Sequence, residues 1–140
     1  MPSNEASRKR EAFIPSAWRD FYQTTHVPAA VRAGAVLHVT GHTGEGLDGV
    51  FSNDVEDQVR GTFRNIPLTL AEAGLDWSSV VELNSYHVGL QDQAELLLAV
   101  AAEFLQDPFP AWTAVGVTEL IDPEAVIEIS CVAVFPCGAR

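Results

Sequence analysis

Three short stretches carry side chains whose types and spacing could do chemistry. In Val126-Ile127-Glu128-Ile129 a lone carboxylate sits between branched apolar residues, so strand alternation sends it to the face opposite Ile127 and Ile129. Such a carboxylate is a general base or hydrogen-bond acceptor where a cleft covers it, and a solvated surface group where none does. Thr40-Gly41-His42 places a hydroxyl and an imidazole beside the glycine-rich stretch 41–51. His42 there is either a solvated loop residue or a hydrogen-bonding, proton-shuttling group. Phe109-Pro110-Ala111-Trp112 puts an indole at the head of an apolar run, where it fills a core or an interface, or stacks on a ligand. His38 and His87 fall in strand-like runs and read as satisfied structural histidines. Cys131 reads as a buried thiol, and with Cys137 it forms neither a disulfide framework nor a zinc-spaced cluster, so no metal is implied. Gly44-x-Gly46 lacks the strand and helix context of a phosphate cradle.

The elements that must position these groups follow from periodicity. Residues 1–12 are polar and read as a frayed tail, and the aromatic-rich stretch 13–26 has no clear period, so an irregular segment is expected. Val27–Arg32 and Ala35–Gly41 flank Ala33-Gly34 as a strand, tight turn and strand. The stretch 41–51 is then a mobile or sharply turned loop. With Ser52 or Asn53 as N-cap, Val55, Val59, Phe63, Ile66, Leu70 and Ala73 make one helical stripe that Gly74 stops and Pro67 kinks. Val80–Leu90 reads as a strand, Gln93–Leu105 as a helix after Asp92, and Ala111–Leu120 with Val126–Phe135 as a second hairpin. The order β-β-α-β-α-β-β, with two helices on one face of a mixed sheet, makes one two-layer α+β domain spanning 1–140.

Composition excludes several functions. The 140 residues carry 8 Lys+Arg against 19 Asp+Glu, a formal charge of −11. Binding a nucleic-acid backbone or an anionic membrane needs clustered cations, and beyond the polar tail 1–12 Arg60 with Arg64 is the one local basic pair, with acidic residues around it. The N-terminus lacks a signal-peptide apolar segment and no run reaches the ~18 apolar residues of a span, so a cytoplasmic protein is expected.

The motifs together resemble the Rid family, also called YjgF or L-PSP. Gly34-Ala-Val-Leu-His-Val-Thr40-Gly41-His42 is similar to its Gly-x-x-(apolar)-x-(Ser/Thr)-Gly-Gln segment. Gln58, Asn65 and Leu70-Ala-Glu-Ala-Gly74 resemble its first helix. Phe109-Pro110-Ala111, followed by Val115-Gly-Val117, resembles its Pro-Ala-Arg segment, and Val126-Ile-Glu128-Ile its closing strand. The resemblance covers residues 27–135 and implies a chorismate-mutase-like fold, a homotrimer with ligand clefts between subunits, and no cofactor. Active members hydrolyse imines and enamines such as 2-aminoacrylate, binding the substrate carboxylate through an arginine after Pro-Ala.

That arginine is replaced here by Trp112, a cleft tyrosine by Val27 and a pocket asparagine by Leu98, while Glu128 and the hydroxyl of Thr40 are kept. The resemblance thus implies a more apolar pocket in which Glu128 is the catalytic candidate. Thr40, His42, Val27, Leu98, Ala111 and Trp112 would form the ligand side. Three functions compete: a divergent imine or enamine deaminase-like hydrolase, a non-catalytic metabolite-binding or regulatory trimer, and an endoribonuclease. The charge of −11 weighs against the last.

Overall fold

Strand alternation and one helical stripe set the architecture. The computed structural model describes residues 9–138. In chain order the elements are β1 (Glu11–Phe13), α1 (Arg19–Thr25), β2 (Ala30–Ala33), β3 (Val36–His42), α2 (Val55–Glu72), β4 (Val80–His87), α3 (Leu90–Ala101), β5 (Ala111–Gly116) and β6 (Ile127–Val134). The strands form one mixed sheet in the order β1-β2-β3-β6-β4-β5. Helices α2 and α3 lie side by side on one face, α2 against β3 and β6, α3 against β4 and β5. This is the expected α+β, chorismate-mutase-like layering.

Helix α2 begins one residue later than its candidate caps. Asp54 is the N-cap, its side chain accepting from the Glu56 amide at 3.2 Å, while the Ser52 hydroxyl accepts from the Asp54 amide. Val59, Phe63, Ile66 and Leu70 are fully buried along the stripe, each contributing roughly 1.5–3 kcal/mol. The helix runs through Pro67. It ends where Gly74 turns left-handed (φ +75°) and the Leu75 amide reaches back to the Leu70 carbonyl at 2.8 Å.

The first hairpin forms as expected, with β2 antiparallel to β3 around Gly34. Three expectations are corrected. Residues 13–26 are not irregular, because Trp18, Phe21 and Tyr22 share one side of the short helix α1 and its preceding 3-10 turn. Glu11 and Ala12 belong to β1, paired with Arg32 and Val31 rather than frayed; the rest of the expected tail before Lys9 lies outside the described residues. The second hairpin is absent. Strand β5 pairs parallel to β4 at the sheet edge, whereas β6 crosses over and inserts between β3 and β4, antiparallel to both. In β6, Ile127, Ile129, Cys131 and Ala133 are buried beneath the helices, and the intervening residues point to the helix-free face.

Candidate functional site

A bulge in β3 builds the centre of the site. Val39 pairs with Cys131 and His42 with Ile129, so three steps on β3 oppose two on β6. Strict alternation after Val39 would turn His42 away from the helices. The extra residue instead places both Val39 and His42 on the helix side, each 3% exposed. His42 is therefore not a solvated loop residue. Its Nδ1–H donates to the Thr40 carbonyl at 2.6 Å, and its Nε2 accepts from the Thr69 hydroxyl on α2 at 2.8 Å. Burial pushes its pKa down to about 4, the bond to the Thr40 carbonyl offsetting part of that fall.

The same bulge leaves Gly41 beside Glu128. A Cβ at position 41 would stand 2.7 Å from the Glu128 Cδ, so glycine is what lets this carboxylate lie flat against β3. Glu128 is half-buried, and its pKa is raised, first by desolvation and then by the nearby charge of Glu45. It opens into a cavity of about 410 Å³, within the size range of small-molecule sites. Glu45, Asp122, Trp18, Phe21 and Phe51 stand around it. A smaller cavity of about 120 Å³ lies beside it, walled by Trp18, His42, Asn65, Leu68 and Thr69.

The glycine-rich loop is pinned rather than mobile. Asn65 Nδ2 donates to the carbonyls of Thr43 and Glu45 at 2.8 and 2.9 Å. Gly44 packs on the backbone of α2, and a Cβ at Gly61 would meet the Gly44 carbonyl oxygen at 2.4 Å. The Thr43 hydroxyl donates to the Glu45 carboxylate, which holds that charge near Glu128.

The other candidate residues are dispersed. Thr40 donates to the Pro28 carbonyl at 2.7 Å and ties the hairpin instead of lining either cavity. Val27 contributes its carbonyl, which accepts from the Trp18 Nε1–H at 2.8 Å. Leu98 is 65% exposed on α3. Ala111 opens β5, exposed and paired with Glu82. Trp112 pairs with Leu83, which is buried beneath the helices, and its ring meets Phe63 edge-on at 6.3 Å. Glu128 pairs with Tyr86 on the opposite face, so the sheet separates Trp112 from Glu128. The Trp112 indole instead heads a buried relay. Its Nε1–H donates to Ser85 Oγ, the Ser85 hydroxyl to His87 Nε2, His87 Nδ1–H to Gln93 Oε1, and the Gln93 amide to the Val88 and Val126 carbonyls. Every member is satisfied, in keeping with structural roles for His87 and Trp112.

Periodicity missed Trp18. Its ring lies tilted against His42, centroids 4.6 Å apart, and meets Phe21 edge-on at 5.0 Å, making a wall shared by both cavities. The spacing of Trp18, Phe21 and Tyr22 was the available signal, masked by a helix of only seven residues.

The family described as Endoribonuclease L-PSP matches residues 21–135. The RutC family protein YjgH of Escherichia coli is 36% identical over 129 residues, 91% of this chain and 97% of that protein. A 2-iminobutanoate/2-iminopropanoate deaminase of Dermatophagoides farinae is 29% identical, covering 76% of this chain and 83% of that protein. Among solved structures, protein YJGH matches with a TM-score of 0.83 at 35% identity, covering 91% of this chain and 98% of that one. Rv2704 of Mycobacterium tuberculosis, described as a member of the YjgF/YER057c/UK114 family, matches with a TM-score of 0.76 at 28% identity, covering 89% and 98%.

Proposed function

Because the chain belongs to the endoribonuclease L-PSP family, the YjgF or Rid group, we propose that it binds a small metabolite at the Glu128 cavity as a homotrimer and hydrolyses an imine or enamine there. The observation that carries this reading is Glu128 itself, a carboxylate pressed on Gly41, partly desolvated, with a raised pKa, at the mouth of a cavity of small-molecule size. A carboxylate in that setting takes a proton from water near neutral pH more readily than an exposed one. The water oxygen bonds to the imine carbon as the C=N electrons move to nitrogen. Glu128 then returns the proton to the nitrogen, giving a carbinolamine. It next carries the carbinolamine's hydroxyl proton to that nitrogen as the oxygen lone pair forms C=O and the C–N bond breaks, so a carbonyl compound and ammonia leave.

The trimer is supported by the helix-free face of the sheet. Val115 and Val134 are 40% and 39% exposed there, beside half-buried Tyr86 and Val132, an apolar surface that a neighbouring copy would cover. A nuclease reading is disfavoured, since the carboxylates at the cavity would repel phosphate and no Lys or Arg is among its described lining residues.

The test is hydrolysis of imines generated in situ by oxidases from a panel of amino acids and simple amines. At least one imine should be hydrolysed faster with the protein than without, and Glu128→Gln should abolish that acceleration. A variant that keeps the full rate would remove Glu128 from the chemistry. No acceleration across the panel would remove hydrolysis.

A further inference from the structure

We infer that the Glu128 cavity selects organic cations: an alkylammonium or a protonated imine that bears no carboxylate. This rests on the reading of that cavity as the binding site. Three carboxylates, of Glu45, Asp122 and Glu128, and three aromatic rings, of Trp18, Phe21 and Phe51, line it, and no Lys or Arg is among its described lining residues. Electron-rich ring faces together with carboxylates hold ammonium groups by cation–π attraction and charge. A carboxylate ligand would meet repulsion with nothing to pair it.

The walls are set before any ligand arrives. Trp18 is fixed by the Val27 carbonyl at 2.8 Å and by its contact with buried His42. The Glu45 carboxylate is held by the Thr43 hydroxyl, and its backbone by Asn65. Glu45 therefore cannot swing freely away from Glu128, and its charge is one cause of the raised Glu128 pKa. A cation between them relieves their repulsion and replaces solvent lost on burial.

The experiment compares n-butylammonium, n-butyrate and n-butanol, equal in chain length and differing in charge, by ligand-detected NMR and calorimetry on the full chain near pH 8. Butylammonium should bind at least about tenfold more tightly than butyrate. Glu128→Gln should weaken butylammonium about tenfold, and Trp18→Leu should weaken it independently. Butyrate binding as tightly as butylammonium, with that binding lost in Glu128→Gln, would overturn the cation selectivity and leave the cavity as a binding site. Butylammonium binding unchanged by Glu128→Gln would mark it as attraction to an acidic surface and overturn the inference. Failure of all three probes to bind would overturn the cavity reading as well.

Discussion

Lowering the pH from 7 to 5 should destabilise the fold through its buried imidazoles, and the share of His42 can be isolated from that of His87, whose pKa burial also lowers. His42 titrates at about 4 in the folded protein, against an ordinary value of 6.5. Between those values the unfolded chain holds a proton at this position that the folded chain refuses, so acid draws the equilibrium towards unfolding. The stabilising effect is complete above the unfolded value and declines as pH falls from 6.5 to 4. Integrated from pH 7 to 5, the gap amounts to about 2 kcal/mol, a large share of the roughly 5–15 kcal/mol that keeps a domain folded. Urea unfolding at pH 7, 6 and 5, followed by tryptophan fluorescence, measures it, since Trp18 packs against the imidazole. The carboxylates add their own pH dependence, so the comparison is with His42→Gln, which keeps a polar side chain and cannot titrate. Wild type should lose about 2 kcal/mol more than His42→Gln over this range. Stability curves for the two proteins that stay parallel, within about 0.5 kcal/mol, would refute the buried, neutral imidazole.

Trp112→Arg should not confer binding of 2-iminopropanoate, because position 112 faces the helix layer, and urea unfolding should show a loss of about 2 kcal/mol as the half-buried indole gives up its contact with Phe63 and its hydrogen bond to Ser85. Gly41→Ala should displace the Glu128 carboxylate and abolish activity or binding, with a stability loss below about 1 kcal/mol because the flexible end of a side chain gives way; calorimetry and an imine assay measure the two effects. Glu128→Gln should leave the fold as stable or more stable at pH 7, since its raised pKa makes the charged form unfavourable in the folded state, and thermal unfolding checks the sign. Light scattering at micromolar concentration should return about three times the 15.1 kDa chain mass, and a monomer would remove the trimer.

The parts of the fold legible in the sequence are those with an uninterrupted period. The α2 stripe, the Gly34 hairpin and the alternation of β6 each repeat long enough to fix element and face. Strand partnership was not legible. Two apolar runs adjacent in sequence read as a hairpin, but β5 is the parallel end of a β-α-β unit with β4 and α3, and β6 pairs elsewhere; periodicity reports burial, not neighbours. At the site, Glu128 was legible from alternation and motif. The placement of His42 was not, because a one-residue bulge reverses the face that alternation assigns. Trp112 was located but its direction was not, since its burial depends on the Leu83 register. Glu45, Asp122 and Trp18 come to Glu128 from three separate segments and share no spacing with it.

The central insertion of β6 has a kinetic consequence. The β2–β3 hairpin and the β4-α3-β5 unit are local in sequence and can form early, whereas Val36 must find Val134 across most of the chain. Until β6 arrives, β3 and β4 each present an unpaired edge, open to pairing with another molecule. Refolding at high concentration should therefore divide between insertion and aggregation, with the half-built sheet as the branch point. Strand β6 also carries Glu128 to Gly41, so the arrival that closes these edges assembles the cavity. A completed sheet is thus the precondition of any binding at that cavity.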